Sequence, residues 1–208
     1  MIPVLMVLGL VVEGVAWWWI SARGASVWAT MTPVLVGLGV LALLTGRPEA
    51  AKDVAVGFAA AVGLAAGILL FGATRVFVAI VAPRWAAFRA QSVSMYGRRD
   101  ALPLGAVVAL SVLLMVPGEE LFWRGLVLPE LERAFDGVVP AAALAWAAFV
   151  AANLPSRNLA IVAGAVVGGA VWVTLAAWSG GVVAGLLCHA AWTALMLALP
   201  PLETREAM

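Results

Sequence analysis

Long apolar runs, each closed by a short cluster of glycine, proline or charge, set the rhythm of this chain. They predict membrane-spanning helices over 1–20, 27–44, 54–81, a fourth from residue 104, then 140–153, 159–178 and 182–199. The breaks are Arg23, the Gly46-Arg47-Pro48 turn, Pro155, the Gly180-Gly181 pair and Pro200-Pro201. The fourth span leaves the apolar zone through Glu130, Glu132, Arg133 and Asp136. Between the third and fourth lies the most polar stretch, 83–103, with Arg84, Arg89, Arg98, Arg99 and Asp100. It predicts an interfacial connection carrying an amphipathic turn. Trp17, Trp18 and Trp19 suit the headgroup layer, and Arg75 is placed to snorkel toward it.

Composition narrows the class. Hydrophobic residues make up 65% of the chain and charged ones 11%, and mean hydropathy is +1.09. An ordinary soluble domain is excluded. A barrel would need period-2 alternation, which is absent, so the expectation is an all-α polytopic bundle of about seven spans. No internal repeat is visible. The chain divides into N-terminal helices and the polar connection (1–103), a core (104–200) and a short polar tail (201–208). A net charge of +1 offers no nucleic-acid surface. The single cysteine, Cys188, excludes an internal disulfide. The first segment lacks a basic n-region and reads as a retained span. Arginine in excess of lysine, with much Ala, Gly and Val, points to a bacterial inner (cytoplasmic) membrane protein. Arg23, Arg84, Arg89, Arg98, Arg99, Arg157 and Arg205 fall on one face, against Arg47, Lys52 and Arg133 on the other. By the positive-inside rule the C-terminus is cytoplasmic, and the fourth span's acidic motif is expected to open on the opposite, extracytoplasmic side.

That motif is Pro117-Gly118-Glu119-Glu120-Leu121-Phe122-Trp123-Arg124-Gly125. Ionisable groups at membrane depth are costly and mark functional sites by default. Glu120 and Arg124 stand at i,i+4 and can form a salt bridge; Glu119 points about 100° away, free to bind water. The alternative is a structural ion pair that locks two helices. Taking Asp136 as a hairpin tip, Glu119 and Asn153 lie about 17 residues away on either side, at comparable depth. His189, the only histidine, sits mid-span with Thr193 one turn on. Cys188 adjoins His189, but neighbours on a helix do not face each other, so it reads as packing. Glu13, a lone carboxylate in the first span, reads as a packing residue before it reads as part of a polar path. With one histidine in all, no cofactor is expected and a metal site is disfavoured.

Glu119-Glu120-x-x-x-Arg124, Phe149-x-x-x-Asn153 and His189-x-x-x-Thr193 resemble the three motifs of the CPBP family. These are the CAAX-prenyl endopeptidases and bacteriocin-processing (Abi-type) membrane proteins, whose pattern reads EExxxR, FxxxH and HxxxN or similar. Gly164, Gly168, Gly169 and Trp192 fit the same pattern. The resemblance covers 104–199 and implies a glutamate-dependent intramembrane endopeptidase with a membrane-anchored protein or peptide as substrate. Carried over, Glu119 is the general base, Glu120 with Arg124 its electrostatic support, and His189 an acid/base or oxyanion donor. A C-terminal sorting or anchor signal, or a leader peptide, suits the expected face. Two positions depart from the pattern. Asn153 replaces a histidine; an amide can place a water or donate to an oxyanion but cannot take up a proton. Thr193 stands where asparagine is common. The alternative is therefore an inactive relative, an immunity, scaffold or peptide-binding protein. A proton-coupled carrier using Glu13, Glu119 and Glu120 is disfavoured without repeat symmetry.

Overall fold

A computed structural model describes residues 2–135 and 137–202. Asp136, Arg205 and the Arg99 and Asp100 side chains lie outside the described residues. The helices are α1 (Ile2–Arg23), α2 (Val27–Thr45), α3 (Val56–Val81) and α4 (Ala86–Gly97). They continue as α5 (Leu104–Ala134), α6 (Val138–Asn153), α7 (Leu159–Ser179) and α8 (Val183–Ala198). No strand occurs among the described residues. Six of the helices are long and apolar enough to cross a membrane. The seventh, α8, has 16 residues, about 24 Å of helix. It also traverses the bundle: Val183 N–H donates to Ala50 O (3.0 Å) at one end, and Leu202, just beyond it, packs with Val78 and Phe88 at the other. The all-α bundle of about seven spans is what the hydrophobic pattern predicts.

Local chemistry explains several boundaries. Ser26 caps α2 by accepting from Ala29 N–H, and Asn158 caps α7 by accepting from Ala160 and Ile161 N–H. Gly180, at φ 65°, ends α7 in the left-handed conformation that glycine adopts without steric cost. Within α5 two π-helical turns, Ser111–Met115 and Trp123–Val127, precede Pro117 and Pro129. A proline donates no N–H and clashes with the carbonyl four residues back; a widened turn relieves both problems without breaking the span. The Glu-Glu motif lies between these two turns. Close helix contact falls at small residues. A side chain at Gly67 of α3 would stand 2.6 Å from the Cys188 carbonyl of α8.

The two ends of the bundle differ. Trp28 Nε1–H donates to Arg98 O (3.2 Å) and Ser21 to Pro155 O (3.0 Å). Asn158 donates to Gln91 O (3.1 Å). These bonds gather Arg23, the 84–98 segment and Arg157 at one end. At the other, Lys52 and Asp53 N–H both donate to Ser179 O (3.1 Å), and Val182 N–H donates to Glu49 O (2.9 Å). The polar 83–103 connection is more than a surface link. Its helix α4 buries Phe88, Ser92 and Tyr96 against the bundle.

Candidate active site

The acidic motif reaches the middle of α5, about 20 Å from Leu104 along the helix. Glu120 is fully buried and Arg124 nearly so, with side-chain exposures of 0% and 1%. Arg124 Nη1 lies 3.2 Å from Glu120 Oε1, an ion pair without hydrogen-bond linearity. The guanidinium is held in place by other contacts. Nη2 donates to Gly169 O (3.4 Å), and the group lies 4.3 Å from the Phe149 ring centre and 5.6 Å from that of Trp172.

His189 joins this cluster from α8. Its Nδ1 is 2.9 Å from Glu120 Oε1 and 3.8 Å from Glu119 Oε2. The imidazole stacks on Trp172, with ring centres 3.5 Å apart and planes 13° from parallel. Because Glu120 takes Nδ1–H, Nε2 is the ring nitrogen left for chemistry, the same tautomer logic by which a carboxylate orients a catalytic histidine. Gly185, one turn before His189, makes room for this. A Cβ there would lie 3.2 Å from Glu120 Oε2 and 3.0 Å from Trp172 O.

Glu119 faces elsewhere. Its side chain keeps 13% exposure and forms part of a cavity wall. The cavity has a volume of about 440 Å³; its polar deep end presents Glu119, Asn153, His189 and Thr193, and its walls are mostly apolar. Glu119, Asn153, His189 and Thr193 are thus brought together on one cavity, with Glu120 and Arg124 behind it. Trp17, grouped by sequence with its neighbours at the headgroup layer, instead turns inward to line it. Trp18 and Trp19 are exposed.

The cavity lies on the arginine-rich side of the motif, whereas the charge count led to the expectation of an extracytoplasmic opening. The outer lining comes from Phe88, Ser92, Met95 and Tyr96 of α4, together with Val78 and Met196. All belong to the arginine-rich end. The opposite end is closed by the backbone bonds of Lys52, Asp53, Val182 and Val183. The cavity therefore extends from the motif toward the arginine-rich end, where the buried Phe88, Ser92 and Tyr96 of α4 cover it, and not toward the arginine-poor one. Sequence could sort charges by face but could not say on which side of Glu119 the helices part. Phe77 (45% exposed) and Val167 (56%) are at once cavity lining and outer surface, on α3 and α7. The cavity thus also has a lateral opening between these helices.

The Asn153 amide donates to Phe149 O (3.0 Å) and to Glu13 Oε1 (3.1 Å), so both of its N–H groups are engaged within the protein. Glu13 is the residue that the sequence reading set aside as packing. It is fully buried, accepts from Trp123 Nε1–H at Oε2 (2.9 Å), and lies within hydrogen-bonding reach of Glu119. What joins Glu119 to Asn153 is Glu13. The signal was present, a carboxylate ten residues deep in an apolar span, but no local pattern linked it to a motif more than a hundred residues on. Trp172 gave no comparable signal. The Cys188 backbone lies against Gly67 and its thiol is buried, while His189 faces the cavity. Among the described residues no three His, Cys, Asp or Glu side chains group as metal ligands.

Residues 101–195 match the family model described as type II CAAX prenyl endopeptidase Rce1-like. No curated protein and no solved structure matches the chain.

Proposed function

Residues 101–195 carry the core of the CPBP family of membrane proteases, and from that premise we propose that the chain is a glutamate-dependent intramembrane endopeptidase. It cuts a membrane-anchored peptide that enters from the arginine-rich side. The observation that carries the reading is the apolar cavity ending on Glu119 and on a His189 already oriented by Glu120.

In this scheme a water held by Glu119 attacks the scissile carbonyl carbon and gives its proton to the carboxylate. The new oxyanion is met by donors at the deep end, where Thr193 offers a hydroxyl and a protonated His189 an Nε2–H. Collapse breaks the C–N bond, and a proton passes to the leaving amine from Glu119 or His189. Trp172 and Glu120 hold the imidazole so that little reorganisation is needed during the reaction. No step calls on a metal. The lateral opening beside Phe77 and Val167 supports entry of an apolar tail from the bilayer.

By the positive-inside rule the arginine-rich end is cytoplasmic. This supports a C-terminal anchored or lipidated peptide as substrate over a secreted one. The binding-partner alternative rests on Asn153, and the carrier reading gains only the Glu13–Glu119 contact, since the bundle is closed beyond the site. The test is cleavage of lipidated and tailed membrane peptides by wild type, Glu119→Gln, His189→Ala and Asn153→His in liposomes. Loss with the first two variants supports the protease. Substrate that is bound but uncut by every form supports the binding partner.

A further inference from the structure

The family match begins at residue 101, yet one of the most deeply placed carboxylates of the site comes from α1. Glu13 is fully buried and is not part of the cavity wall, so it does not meet substrate. Its polar partners tie it to the site. Trp123 of α5 donates to one oxygen and Asn153 of α6 to the other. Glu119 is in hydrogen-bonding reach of it, and the charge of Arg124 acts on it. A burial of this kind is costly for mere packing, because a leucine-sized apolar side chain would fill the space without needing donors.

The arrangement has a chemical sense. Where the family places a histidine, Asn153 offers an amide that can donate but cannot accept a proton. Here that amide is committed to Glu13, and the acceptor is Glu13 itself. Two carboxyl groups in hydrogen-bonding reach must hold a proton between them to attract each other, since two carboxylates only accept.

We propose that Glu13 is a positioning residue for Glu119, and that the Asn153–Glu13 pair does jointly, from two helices, what a second-motif imidazole does alone. The proposal rests on the protease reading. Glu13 fixes the rotamer and the hydrogen-bonding state of Glu119, while Asn153 and Trp123 fix Glu13. The catalytic unit therefore extends from α1 to α8.

Two readouts test this on the full-length protein purified in detergent and in liposomes. The first does not require turnover. Infrared spectra with isotope-labelled glutamate identify the Glu119 carboxyl band by its loss in Glu119→Gln. Glu13→Gln, an isosteric change that retains the fold by thermal melt, is expected to shift that band; an unmoved band overturns the proposal. The second is cleavage kinetics. Glu13→Gln is expected to lower kcat about 100-fold with KM unchanged, and the loss is expected to shrink below about tenfold when Asn153→His is also present. Equal losses in both backgrounds mean a structural role and overturn it. If the wild type cuts nothing, the protease reading fails and the catalytic use of Glu13 with it. An active wild type with an indifferent Glu13→Gln sinks only the Glu13 proposal.

Discussion

Glu119 and Glu120 are adjacent in sequence, yet they belong to two differently built halves of one site. The Glu120 half is dry. Its carboxylate meets Arg124 and the Nδ1 side of His189, Arg124 packs on aromatic rings, and neither Glu120 nor Arg124 reaches solvent. The Glu119 half borders the cavity and reaches back to Glu13 and Asn153. In the proposed mechanism one half holds geometry and the other meets water and substrate. A site at membrane depth needs both. Rigid, desolvated support makes electrostatics strong, whereas a reacting carboxylate must be reachable.

The sharpest way to break this comparison is to change one residue in each half. Glu119→Gln is expected to lower kcat/KM by about 10²- to 10⁴-fold while the melting temperature in detergent moves little, because an amide of the same shape remains at a partly open position. Large destabilisation would show that Glu119 also carries structure. Arg124→Ala is expected to do the reverse first, costing about 3–5 kcal/mol of stability by leaving Glu120 buried without its cation. Denaturant or thermal unfolding reads this directly, and a variant as stable as wild type would mean that the dry half holds no strong pair.

Smaller effects refine the picture. Gly185→Ala sets a methyl against Trp172 O and Glu120 Oε2 and is expected to cost about 1–2 kcal/mol. Its kcat is expected to fall more than its KM rises, since the strain reaches His189 through Glu120. A mild test concerns access. A cysteine at Met95, on the cavity's outer lining, is expected to react with a polar thiol reagent added on the arginine-rich side of oriented vesicles. The native, buried Cys188 is expected to stay unlabelled in the same sample. Labelling from the opposite side would reverse the assigned opening.

Much of the bundle was legible because hydropathy acts locally. Each span needs its own run of apolar residues, so boundaries such as Gly46 and Pro155 mark themselves in the chain. The placement of Glu120, Arg124 and His189 was legible for a related reason: charges confined to one face of a helix in lipid must find each other. Asn153 was harder. Its position near Glu119 followed from counting along a hairpin, but whether its amide donates to substrate or to the protein depends on neighbours that the count does not include. The partners of Glu13, Trp123 and Asn153, come from two other helices and so were not legible from its own span.

The sequence by itself therefore determined the all-α class, the span limits, the arginine-rich face and the dipeptide at the centre, all of which rest on the composition of single segments. Tertiary structure alone decided which side of Glu119 is hollow, that α4 lines that end of the cavity, and that α1 supplies a carboxylate to the site. These depend on where helices part and which small residues let them meet, as at Gly67 and Gly185. A packing arrangement of seven helices is a property of pairs, and no single segment encodes it.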